Sequence, residues 1–177
     1  MSQFANQPSN PNPLTRSNFD FRVNKLPNTT YFIQRIVLPG ISVGESITPN
    51  PFVDLKRTGD KVTYDPLTVT FLVDEDLNNY RELFDWITSL GFDQNFTQFA
   101  DLKNDPSVPA TQIGNIYTDA SLTILTSKSN PNIRVDFVEM FPTSLSELEF
   151  SATETSSDVQ VATVTFSYTN YTISTVT

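Results

Sequence analysis

The chain has 177 residues, enough for one domain with a sizeable core, and 20 acidic against 11 basic side chains give it a formal charge of −9. That balance opposes general affinity for nucleic acid or an anionic membrane, because the counterion-release gain has the wrong sign. The chain has no Cys and no His, which removes disulfides, thiolate nucleophiles, Cys/His zinc centres and Ser-His-Asp triads.

Residues 1–18 read as a polar arm, with Pro8, Pro11 and Pro13 among Asn and Ser. The arm is either a disordered terminus or an extended segment that orders when a neighbouring subunit covers it, with Phe4 and Leu14 as its apolar anchors. It has no basic n-region and no apolar h-region, so no secretory signal is expected. No apolar run anywhere approaches the roughly 20 residues that span a bilayer. Synthesis and assembly in a cytoplasm is the default.

Residues 19–177 read as one β domain. Phe19, Phe21 and Val23 share a face of a first strand. A turn at Leu26-Pro27-Asn28-Thr29 leads to a second strand over 31–38, which Pro39-Gly40 ends. Residues 41–58 read as a loop or irregular hairpin, because Pro49 and Pro51 interrupt ladder pairing. Thr58-Gly59-Asp60-Lys61 reads as a turn before the next strand.

The most informative stretch runs from Gly59 to Gly91. Leu67, Val69, Phe71 and Val73 alternate with Thr68, Thr70 and Leu72, the period of a strand with one buried face. After Asp74-Glu75-Asp76 the period changes. Tyr80, Leu83, Phe84, Ile87 and Leu90 recur at helical spacing, with Asn78 or Asn79 as N-cap and Gly91 as the stop. This pattern predicts that Tyr80, Leu83, Phe84 and Ile87 pack on the sheet, with Trp86 beside them as a packing or interface residue.

Residues 92–118 show no clean period and read as an excursion loop. Strands over 120–126 and 133–141 form a hairpin. Pro142-Thr143-Ser144 reads as a corner before a short strand carrying Leu145, Leu148 and Phe150. A long final strand, 159–173, needs a bulge near Thr169-Asn170 to bring Tyr171 and Ile173 onto the same face as Val164, Phe166 and Tyr168.

No catalytic, cofactor-binding or metal-binding residue is assigned. Asp74, Glu75 and Asp76 lack the alternating carboxylates and Gly of a cation loop, and their place at a helix entry accounts for them. Sequons at Asn28, Asn95 and Asn170 carry no meaning without a secretory route. Lys56, Arg57 and Lys61 form the one basic cluster, read as a solvated turn or a contact between acidic subunits.

The elements together resemble tail tube proteins of T-even-like contractile phages. The segments that carry the resemblance are FDFRV at 19–23, VLPGISVGE at 37–45 and KRTGDKVTYDPLTVTFLVDEDLNNYRELFDWI at 56–87. FVEMFPTSLSELEFS at 137–151 and VATVTFSYTNYTI at 161–173 complete them. The resemblance implies a mainly β fold, an antiparallel β-sandwich or small barrel with one short α-helix, assembled as hexameric rings that stack into a tube. It implies a structural virion protein of the tail, assembled in the host cytoplasm, with no enzymatic activity and no cofactor. Its partners would be further copies of itself, sheath and baseplate proteins, and viral DNA passing through the lumen. The same fold also serves baseplate initiators and tail terminators, and a stand-alone β binding module is the reading from outside the family.

Overall fold

Alternation in the sequence builds the centre of the fold. The strand Leu67–Leu72 buries Leu67, Val69 and Phe71 and leaves the intervening residues half-buried. Its partner Val161–Ser167 buries Ala162, Val164 and Phe166, with Val69 opposite Val164. Two strands with buried residues in the same register define one face of the core.

The computed structural model describes residues 12–14, 16–91, 97, 116–151 and 158–176. In chain order the elements are β1 (Phe19–Val23), α1 (Pro27–Tyr31), β2 (Ile33–Val37), β3 (Ile41–Thr48), β4 (Leu55–Tyr64), β5 (Leu67–Leu72) and α2 (Asn78–Gly91). They continue with β6 (Thr118–Leu125), β7 (Pro131–Leu145), β8 (Val161–Ser167) and β9 (Asn170–Thr175). The larger sheet runs β1-β6-β7-β8-β5-β2, with β9 added to β7, and β3 and β4 form a separate pair. All pairings are antiparallel.

Strand β7 joins the two halves. Its first part lies between β6 and β9, and its last residues pair with β8. Two irregularities turn it. Glu139 takes a φ of 56°, and its backbone N–H donates to Asp119 Oδ1 at 3.2 Å. A second register shift falls between Pro142 and Ser144. Proline carries no N–H for a ladder, and a bulge accommodates that loss. The expected corner is therefore a bulge inside a continuing strand. No separate strand follows: residues 146–150 are irregular, with Leu148 packed against the core and Phe150 exposed.

The other departures from the sequence reading have equally local causes. Pro27 sits in the first turn of α1, where its missing N–H costs nothing, so the expected turn closes into a second helix and β2 starts only at Ile33. The expected single final strand is two: β8 pairs with β5 and β7, and β9 pairs with the first part of β7. The break lies at Tyr168-Thr169, next to the bend expected from the parity change. Tyr171 packs against the core, whereas Ile173 is exposed. The excursion loop, 92–118, lies outside the described residues except at Thr97 and 116–118, and Thr118 already belongs to β6.

Helix α2 covers the sheet with Tyr80, Leu83 and Trp86, as expected, but its buried face is centred away from Phe84. Asn79, Leu83 and Trp86 are its buried residues, and Phe84 is 52% exposed. At 100° per residue, Asn79, Leu83, Trp86 and Leu90 cluster within one narrow arc, and Phe84 lies roughly 130° away from its centre. Asn79 is no cap. Its Nδ2 donates to the Leu72 carbonyl at 2.7 Å, and its Oδ1 accepts from the Asp74 N–H at 3.3 Å. These bonds satisfy the frayed end of β5 and pull a polar side chain into the core. Trp86 Nε1 donates to the Ile116 carbonyl at 3.2 Å, and its ring meets Phe166 at 6.4 Å. Phe84→Ala should therefore cost under about 1 kcal/mol and Trp86→Ala about 3–5 kcal/mol, read by urea denaturation. Equal losses for the two would restore the sequence-based orientation of the helix.

Candidate assembly surface

The β3–β4 hairpin leaves the body of the protein. Every residue of β3 is exposed, as is every residue of β4 except Gly59 and Tyr64. Ile41 lies opposite Tyr64 and Val43 opposite Val62, which places apolar side chains together on one face. Ser42 opposite Thr63 and Ser46 opposite Arg57 make the other face polar. The connecting loop adds Phe52, 96% exposed, and Val53. Beyond its root this face leaves Val43, Ile47 and Val62 exposed beside the Glu45–Lys56 pair, and a two-stranded sheet with such exposed apolar side chains is marginal by itself and marks a contact surface.

Two glycines let the strands of this hairpin approach. A Cβ at Gly59 would stand 2.6 Å from the Gly44 carbonyl oxygen and 2.8 Å from its carbonyl carbon. The register shifts at this point, with Gly44 opposing the three residues between Thr58 and Val62. Thr58-Gly59-Asp60-Lys61 is therefore a bulge in the middle of β4, not a turn. The residue types that signal a turn also signal a bulge within a strand.

A cluster of tyrosines holds the hairpin's base. Tyr64, Tyr168 and Tyr171 form a ring triangle with centroid distances of 6.0, 5.3 and 6.1 Å. Tyr168 Oη donates to the Asp65 carbonyl at 2.7 Å, and Tyr171 Oη donates to the Pro39 carbonyl at 3.4 Å. The Asp65 N–H donates to the Gly40 carbonyl at 3.1 Å, closing the hairpin at its root. Burial, together with the charges of Tyr171, Asp65 and Tyr64, pushes the Tyr168 phenol up to about 12. Its folded value lies above the unfolded one, so its contribution to stability is complete below pH 10 and is lost between pH 10 and 12. Denaturation of the wild type against Tyr168→Phe across that interval should show the extra loss in the wild type alone; parallel curves would contradict it.

The structure separates the basic cluster. Lys56 and Arg57 are consecutive in β4 and point to opposite faces, while Lys61 lies in the bulge. Lys56 pairs with Glu45 at 3.3 Å, an exposed contact of little energetic weight. Asp74 is half-buried, Glu75 and Asp76 are exposed, and among the described residues no group of three or more acidic, His or Cys side chains could hold a metal ion. Asn28 donates from its side chain to Glu82, tying α1 to α2. Asn170 opens β9, and Asn95 lies outside the described residues. Among the described residues no helix is long and apolar enough to cross a membrane.

Sequence reasoning did not find the tyrosine cluster. Its signal was the spacing of Tyr168 and Tyr171 across a strand break, and only the topology brings Tyr64 between them.

The comparisons with known proteins agree with this architecture. The chain is 30% identical over 141 residues to the tail tube terminator protein of Enterobacteria phage T4, covering 78% of this chain and 74% of that protein. Among solved structures it superimposes on the tube terminating cap of the anti-feeding prophage with a TM-score of 0.63 at 16% identity, over 99% of this chain and 100% of the other. A chain of the sheath-tube complex of the extracellular contractile injection system PVC, in its extended state, matches with a TM-score of 0.57 at 19% identity and 93% coverage of both. These structural matches describe the fold. The family model for phage tail tube proteins matches residues 9–174, nearly the whole chain, and the protein belongs to that family.

Proposed function

We propose that the protein forms a ring that closes the end of a contractile tail's inner tube, as a homo-oligomer through whose channel DNA passes. The observation that supports assembly is the amphipathic β3–β4 hairpin, whose apolar face and tip are uncovered in the single subunit. Two relatives named for the end of a tube support the terminal station over the tube wall. The sequence reading favours the main tube subunit, and the family model's description supports that second reading. A sixfold ring fits the family's architecture in both cases, with sheath and baseplate proteins as further partners. The charge of −9 fits a channel that repels phosphate, and the reading requires no catalysis.

Copy number decides between the two stations. A closed cyclic terminator should be present at about six copies per particle, whereas a tube subunit should be among the most abundant chains. Quantitative mass spectrometry of purified virions gives this count directly. The terminal station also predicts single rings in negative stain and arrested growth when the protein is added to polymerising tube subunits. Long tubes formed by this protein alone would overturn it in favour of the tube wall.

A further inference from the structure

The end strands of the large sheet, β1 and β2, flank a cavity of about 550 Å³. Phe19, Ile36, Leu122 and Ile124 give it apolar walls. Arg16 and Arg35 are its only charged lining residues, and neither makes an ion pair among the described residues. A basic mouth runs against the charge of a chain with 20 acidic side chains. The volume lies in the range of built binding cavities.

The hairpin's tip has the matching chemistry. Phe52 is almost fully exposed, Val53 is exposed beside it, and Asp54 carries the one charge between Thr48 and Leu55. Asp54 makes no ion pair among the described residues. The ring is presented on an ordered turn. The Phe52 N–H donates to Asn50 Oδ1 at 3.4 Å, and Pro49 and Pro51 fix their own φ angles. An exposed aromatic held this way loses little freedom on binding. The tip stands away from its own cavity. The eight residues of β3 set it about 25 Å from the root at Gly40, whereas the cavity wall reaches Leu38, beside that root.

We infer that the tip of one copy seats Phe52 in the β1–β2 cavity of a second copy, with Asp54 facing Arg16 and Arg35. The contact is heterologous, because tip and cavity are different surfaces of one chain. Repeated around a cycle, it uses every tip and every cavity and closes the ring. It also sets an occupant beside the open edges of β1 and β2, which otherwise invite faulty strand pairing. The inference rests on the homo-oligomer proposed above and adds which two surfaces meet.

The absence of native cysteine gives a clean test in the full-length chain. Val53→Cys on the tip is mixed with isotope-labelled Leu38→Cys on the cavity rim, and separately with Phe84→Cys on the exposed face of α2. Mild oxidation is carried out at concentrations where negative stain shows rings. Tip and rim should then link between chains about tenfold faster than tip and helix. Adding Phe52→Ala to the tip chain should remove that advantage. Arg35→Glu in the rim chain should slow the link about three- to fivefold, and Asp54→Arg in the tip chain should recover it. Equal rates for rim and helix within intact rings, or indifference to Phe52→Ala or to the charge reversal, would overturn the inference. The ring itself would then stand, with another occupant in the cavity. Chains that stay monomeric and unlinked at every concentration would overturn both.

Discussion

Replacing Phe137 with alanine should destabilise the protein by about 3–5 kcal/mol, a large share of the 5–15 kcal/mol that holds a typical domain folded. Phe137 is fully buried on β7, and its ring meets Phe21 at 6.4 Å, Tyr168 at 5.2 Å and Tyr171 at 5.7 Å. Truncation removes contacts with β1, with β9 and with Tyr168 at once, on the strand that joins the two halves of the large sheet. It also takes away the floor beneath the tyrosines that grip the hairpin. Denaturant titration should show the stability loss, and near-ultraviolet circular dichroism should show loosened tyrosines at temperatures where the fold persists. Phe137→Leu keeps most of the volume and should lose clearly less. A loss below about 1.5 kcal/mol in Phe137→Ala would mean the core closes around the vacancy and the joining strand matters less than its position indicates.

Gly59→Val should abolish ring formation while leaving the folded subunit nearly as stable as the wild type. The new side chain would start 2.6 Å from the Gly44 carbonyl oxygen, a backbone atom that cannot swing aside. The strands must part or slip, and in an antiparallel pair a one-residue slip exchanges the apolar and polar faces. The hairpin contributes none of the buried core, so global unfolding should shift by under about 1 kcal/mol. Asp60→Ala, in the same bulge and without a backbone clash, serves as the control and should assemble. Electron microscopy and analytical ultracentrifugation read the outcome. Wild-type rings from Gly59→Val would falsify the hairpin as an assembly surface.

What was legible in the sequence follows the reach of the physics involved. The alternation in β5 and the helical stripe of α2 are local signals, and both elements stand where expected. The mainly β content followed from such alternation, whereas the antiparallel architecture and the family came from the resemblance carried by the segments between 19 and 173. The helix's facing was read correctly at Tyr80, Leu83 and Trp86 and wrongly at Phe84, because hydrophobicity alone selected its buried side. Asn79 is drawn inward by backbone groups of a strand it follows, and that demand is invisible to periodicity. The bulge at Gly59 was read as a turn because one glycine in sequence does not reveal a second glycine across a ladder. The tyrosine cluster joins residues more than a hundred positions apart, a distance no pattern within a window can cross. The candidate surface was obscured for the opposite reason: Ile41, Val43 and Val62 have the composition of a core strand and lie in solvent.

The separation between hairpin and body also bears on how such a protein can change over generations. Exchanging Ile47, Phe52 or Val53 leaves the core untouched, so selection can retune the partner without threatening the fold. Gly44 and Gly59 have no such latitude, because their spacing sets the lever's shape. Lineages that meet different tubes or sheaths should therefore diverge along the hairpin's apolar face and tip while keeping the two glycines and the tyrosines at its root.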